Sequence, residues 1–191
     1  MSLEHRGVQH EPAVSADEIR RRVVGAVHDV MNVGPPLSGH AQLDVYLALL
    51  QDRLPVYVGT RHELLASVGR GSVETNLILV GLATIDFYRT ILPAKISVLA
   101  DSVQLTRLRQ ISRSHEMGQS KADQAIAGYL RTEKEAGRIA ADVDPSGTAR
   151  ILVAACLNYV FTRMLSGDDT ASAAEEYISE IVRALRLPSG A

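Results

Sequence analysis

Phe87 and Tyr88 stand side by side in an apolar stretch, and Tyr129, Cys156, Asn158 and Tyr159 occur in two later ones. Phenyl and phenol rings, one thiol and one amide among aliphatic side chains are the materials of a small-molecule cavity, which is mostly apolar with few polar anchors. A tyrosine supplies both in one side chain, a broad ring and a hydroxyl that orients a guest. These six residues form the candidate ligand-pocket set. Taken singly, each is equally a core residue with its polar tip at the surface. Met117 and Met164 are candidate pliable fillers beside such a cavity.

Catalytic and metal-binding patterns are sparse. His62-Glu63 and His115-Glu116 each lack the second histidine four residues on that a two-histidine zinc face requires. Gly69-Arg-Gly-Ser72 is too short for a phosphate loop, and no Lys-Ser/Thr follows it; it reads as a flexible hinge between helices. Asp144 precedes Pro145, so it reads as a helix N-cap rather than as half of a metal pair with Asp142. Cys156 is the one cysteine of the chain, which excludes a disulfide framework or a Cys-based zinc site within it. It lies in an apolar run with no histidine near in sequence, as an inert core thiol does. The residues thus predict no enzyme activity, no metal and no cofactor.

The elements that would position the pocket residues are helical. Ser15-Ala-Asp-Glu18 is a capping box ahead of Ile19, Val23, Val27, Val30 and Met31 at helical spacing, with Gly34-Pro-Pro36 as the stop. A short helix fits about 40–53, ending before Leu54-Pro55, and a second capping box at Thr60-Arg-His-Glu63 opens the next, through Leu64, Leu65 and Val68. A long helix over 73–92 is stopped by Pro93; Asp101 caps one holding Leu105, Leu108 and Ile111. Then follow helices over about 121–136 with Gly137 as the left-handed end residue, over 146–165, apolar round most of its circumference, and over about 171–187. Residues 54–58 are the best strand candidate, and they are few. The expected architecture is all-α.

The whole is a globular composition: 191 residues, 46% apolar, 22% charged and 4% aromatic, enough chain to bury a sizeable core. A net charge of −2 gives no general attraction to nucleic acid or anionic membrane. The first 14 residues are polar, without periodicity, and read as a disordered arm. They carry no signal pattern, and charges interrupt the apolar runs before the roughly 20 residues of a membrane span, so a soluble, cytoplasmic protein with no membrane partner is expected.

Tyr57-Val-Gly-Thr-Arg-His-Glu-Leu-Leu65 resembles the passage that closes the DNA-binding head of TetR-type transcriptional regulators. Ile85-Asp-Phe-Tyr88 with Pro93 and Leu99-Ala-Asp101, then Tyr129-Leu-Arg-Thr-Glu133, Gly137-Arg-Ile139 and Asp142-Val-Asp-Pro145, resemble the ligand-binding and dimerisation domain of that family, over about residues 57–187. The resemblance implies a small helical head (15–68) and a larger ligand-binding and dimerisation domain (72–191). It implies a homodimer through the last two helices (about 146–187), packed as a four-helix bundle. It further implies a small-molecule effector held among the middle helices, and operator DNA as a partner. At the head, the family's phosphate-holding positions carry over onto Tyr57, Thr60 and Arg61. Arg20, in the Arg20-Arg-Arg22 cluster, and Arg53 are further candidate DNA contacts.

One interval departs from the family pattern. Residues 34–55 have the length of a helix-turn-helix but no Ala-Gly turn, carry a nearly continuous apolar run from Leu43 to Leu50, and place Pro55 where a recognition helix should continue. Residues 1–71 hold seven Arg and no Lys against eight Asp/Glu, a balance of −1 where a basic footprint is expected. The interval has either diverged into a segment that no longer reads DNA or been translated from a locally shifted frame, which the coding DNA in its other frames would decide. The expected function is a ligand-responsive TetR-like repressor; the alternative is a dimeric small-molecule-binding module that has lost its DNA reader.

Overall fold

The computed structural model describes residues 41–114, 120–166 and 171–187. The arm over 1–14, the helix expected over 15–33, Arg20 and Met117 lie outside the described residues. Those described form six helices and no strand, an all-α fold: α1 (Ala41–Ala66), α2 (Val73–Ala100), α3 (Ser102–Ser114), α4 (Ser120–Glu135), α5 (Pro145–Ser166) and α6 (Ala171–Ala184).

Two expected stops are overridden. Pro55 lies inside α1 and Pro93 inside α2, so the break before Leu54-Pro55, the strand candidate at 54–58 and the restart at Thr60 do not occur, and α2 runs eight residues past Leu92 to Ala100. An interior proline removes one backbone hydrogen bond and costs about 3 kcal/mol. The apolar face of α1 continues across its proline as Leu43, Leu47, Leu50, Tyr57 and Leu64, all buried. In α2 it runs as Leu77, Val80, Thr84, Phe87, Ile91 and Val98. Burying Tyr57 and Leu64 beyond Pro55 offsets the lost bond, at roughly 1.5–3 kcal/mol apiece, and beyond Pro93 the buried Val98 does so together with the half-buried Ile96.

Start and stop signals elsewhere hold. Asp101 Oδ1 accepts from the N–H groups of Val103 and Gln104 at 2.8 and 3.1 Å, and Asp144 accepts from Ser146 and Gly147, both at 3.1 Å. Gly137 has φ +71° past the end of α4. The first turn of α1 is capped from a distance: the buried Gln104 of α3 accepts from Leu43 N–H at 3.0 Å and donates to Gln42 and Asp101.

The helix at the centre is α2, which packs on α1, α3, α5 and α6, while α4 lies against α1 and α5. Although the sequence places α1 with the head, its Leu43, Leu47 and Tyr57 share one apolar core with Leu77, Ile126, Leu152 and Ile178. Both α2 and α5 have the length and mean hydropathy of a membrane span, so charges interrupt the apolar runs less than expected; half of that window in α2 and a third in α5 is buried in the fold.

Candidate functional site

The rings of α1 and α2 meet in the interior. Tyr57 stacks on Phe87 with centroids 4.4 Å apart and planes 11° from parallel, and Phe87 tilts against Tyr88 at 5.7 Å. All three are buried. The Thr84 hydroxyl gives its single proton to the Val80 carbonyl at 2.7 Å, so the Tyr57 hydroxyl donates to Thr84 Oγ1 at 3.2 Å. Arg61, one turn beyond Tyr57, sets its guanidinium 5.4 Å from the Tyr57 ring centre, a cation–π contact. Asp123 of α4 and Cys156 of α5 lie close enough to Tyr57 and Tyr88 that a negative charge on either would oppose ionisation of both phenols. Four helices thus converge on one aromatic junction.

This arrangement corrects several expectations. Tyr57 is not a surface phosphate donor, because stacking and its hydroxyl bond turn it inward. Thr60 is not a cap: it lies within α1, its hydroxyl donating to the Val56 carbonyl at 3.3 Å. Arg61 is half-buried, and Arg53 is exposed beside Asp52 at 3.0 Å. Of the pocket set, Phe87, Tyr88 and Cys156 come together. Tyr159 is buried against Tyr177 of α6 at 4.9 Å, with Arg163 over its ring. Asn158 and Met164 are exposed and do not face the junction. Tyr129 belongs elsewhere: it accepts from Asn76 Nδ2 at 2.9 Å, and Asn76 lies 11 residues before Phe87 on α2, about 16 Å away along the axis.

Tyr129 marks a polar latch that the sequence reading missed. Glu133, one turn on, is fully buried; its Oε1 accepts from Gly69 N–H at 3.0 Å and its Oε2 pairs with Arg138 at 3.2 Å. Arg138 also donates to the Gly71 carbonyl. Gly69 and Gly71 have φ of +74° and +60°, conformations open to glycine at no steric cost. The expected hinge at 69–71 is therefore a pinned turn. The signal was present: Ile126, Tyr129, Leu130 and Glu133 share one helical face, three apolar residues and one carboxylate.

Burial raises the pKa of Tyr57 and Tyr88, pushes Tyr46 from 10.0 up to about 12, and pushes Cys156 from 9.0 up to about 12. The thiol is neutral, and its proton points to the Gly81 carbonyl 3.6 Å away. The folded chain holds these protons more tightly than the unfolded chain, so the associated stability is intact below pH 9.0 and is lost as pH rises towards about 12. For Tyr46 or Cys156 the full effect is on the order of 3 kcal/mol. The urea midpoint should fall steeply between about pH 9 and about pH 12, with phenolate absorbance appearing together with unfolding. A flat midpoint over that range would show that water reaches these groups.

On its outward side α5 exposes Ile151, Ala154, Asn158, Phe161 and Leu165, at alternating steps of three and four residues. The outward residues of α6 are polar, Glu175, Glu176, Glu180 and Arg183 among them.

Compared with known protein families, with curated proteins and with solved structures, the chain matches none.

Proposed function

We propose that the chain is a ligand-responsive transcriptional regulator of the TetR type, a repressor acting in the cytoplasm as a homodimer on operator DNA and released by a small, mostly apolar effector. One observation carries the reading: Tyr57, on the helix that includes the stretch expected to meet DNA, stacks directly on Phe87, on the helix expected to meet the ligand. A guest that wedges against Phe87 and Tyr88 must move Tyr57, and with it α1. The linkage is reciprocal, since DNA that holds α1 in one position changes ligand affinity by the same factor. The Glu133 latch makes the coupling effective, because a pinned turn between α1 and α2 passes on a tilt that a loose one would absorb.

The unbroken course of α1 favours a second reading. No turn separates two helices within Ala41–Ala66, the stretch in which a recognition helix is expected, and this suits a dimeric small-molecule-binding module without a DNA reader. Titration of the full chain with random-sequence duplex DNA over a salt series separates the two. The regulator should lose affinity linearly on logarithmic axes, with a slope reporting several phosphate contacts. No binding at the lowest salt overturns the regulator and leaves the module.

A further inference from the structure

Most buried tyrosines of the fold have somewhere to send their hydroxyl. Tyr57 donates to Thr84, Tyr129 accepts from Asn76, and Tyr177 donates to the Ala155 carbonyl at 3.2 Å. Tyr46 and Tyr88 differ. They are only 6% and 4% exposed, yet among the described residues neither hydroxyl has a hydrogen-bond partner. A buried hydroxyl without a partner is rare, because it has given up its bonds to water for nothing. Bulk water does not supply the missing bonds, since burial pushes the Tyr46 phenol from 10.0 up to about 12 and raises Tyr88 as well. Neither oxygen is closed off by packing, so each is open to a bonding partner that enters the fold.

The two phenols come from different helices, α1 and α2, and address one interior. Both belong to the core that holds Phe87 and Cys156, and an ionised Tyr46 would oppose ionisation of Tyr88. Their surroundings are apolar: one turn away on the same helices, Leu43 and Leu50 flank Tyr46, and Ile85, Ile91 and Leu92 flank Tyr88, all buried. Charge nearby is balanced. Arg61 and Asp123 lie within electrostatic reach of each other and of Tyr88, one cation against one anion.

We infer that Tyr46 and Tyr88 are the polar anchors of the effector site, and that the effector is a neutral, largely apolar carbonyl compound, a ketone or an ester, whose acceptor lone pairs take both phenol protons. The inference rests on the small-molecule effector of the proposed function and names its class. A carbonyl oxygen offers two lone pairs and brings no proton of its own, which suits a site with two unused donors. A hydrocarbon would leave both hydroxyls unpaired. A carboxylate would add a second anion beside Asp123 where Arg61 already balances the first, and a buried charge without a partner is costly. Tyr46 also extends the site onto the first turns of α1, so that a bound carbonyl compound ties α1 to α2 directly.

The test is titration of the full chain, followed by NMR, with four probes that share one ring: acetophenone, 1-phenylethanol, benzoate and ethylbenzene. Acetophenone should bind most tightly, about 10-fold better than ethylbenzene, and Tyr46→Phe and Tyr88→Phe should each weaken it about 5-fold while leaving ethylbenzene unchanged. The carbonyl stretch of bound acetophenone should lie below its frequency in hydrocarbon and rise in each variant. Neither variant should lower the urea midpoint, since each removes only an unpaired hydroxyl; a lower midpoint shows that the hydroxyl is already bonded and overturns the inference. Equal binding of ethylbenzene removes the phenol anchors, and tighter binding of benzoate or of 1-phenylethanol overturns the carbonyl class. Binding of none of the four overturns the site but not the regulator, which the salt series with duplex DNA decides separately. Acetophenone binding by a chain that ignores DNA keeps the site and removes the repressor.

Discussion

Glu133→Ala is expected to destabilise the fold by about 3 kcal/mol, the lower end of the range for breaking a buried ion pair, since Arg138 retains some access to water. The wild-type carboxylate is inaccessible, accepts the Gly69 N–H and faces the Arg138 guanidinium. Its removal orphans a backbone donor and leaves a cation half-buried without its anion, and both penalties fall on the same turn. Glu133→Gln retains an acceptor for Gly69 and should cost about half as much. Replacing Glu133 and Arg138 together by leucine and methionine should cost less than Glu133→Ala, because no charge is then stranded. Urea unfolding measures all three. A loss under about 1 kcal/mol for Glu133→Ala would show that the turn at 67–72 is held by its glycines alone. If the latch transmits motion, the same variant should also weaken any effect of a ligand on DNA affinity while leaving ligand affinity nearly unchanged.

Gly81→Val should be at least as damaging, for a steric reason. A Cβ at position 81 would meet Ile178 Cδ1 at 2.8 Å and Cγ1 closer still, where α2 and α6 cross. Valine therefore forces the helices apart or drives Ile178 off its rotamer, at about 3 kcal/mol, well above the ~1 kcal/mol that leaving glycine recovers in helix propensity. Ile178→Ala alone is a cavity substitution at a fully buried site and should cost about 2–5 kcal/mol. Combined, the two should fall short of their sum by at least ~1 kcal/mol, since the valine methyls occupy part of the space the isoleucine leaves. Strict additivity would mean that the two helices do not touch there. The close approach also fixes the Gly81 carbonyl against Cys156, so a spread crossing disturbs the aromatic junction and any ligand it takes.

Local signals in the chain were dependable wherever the physical cause was local. Asp101 and Asp144 cap helices because a carboxylate two or three residues from an orphan N–H reaches it whatever surrounds the helix. Gly137 ends α4 because a left-handed residue is cheapest without a Cβ. The exposed apolar residues Ile151, Phe161 and Leu165 of α5 agree with a helix that reads as apolar round most of its circumference.

The candidate site was less legible. Residue type groups Tyr129 with Phe87, Tyr88 and Cys156, although 11 residues of helix separate its partner Asn76 from Phe87. Thr84 and Arg61 as partners of Tyr57 depend on α1 lying along α2, which no window of either sequence announces. Glu133 was detectable as a carboxylate on an apolar face, yet its partners, Gly69 and Arg138, are named only by the packed chain.

What the residues determined unaided is therefore the helical content, the caps and the apolar faces, each set by interactions spanning a few positions. Whether Pro55 and Pro93 ended their helices, whether Tyr57 faced water or ring, and which backbone groups Glu133 and Gln104 satisfied were decided by the tertiary structure. In each case a local preference worth about 3 kcal/mol or less met burial or hydrogen bonding supplied from another helix, and the larger of the two prevailed.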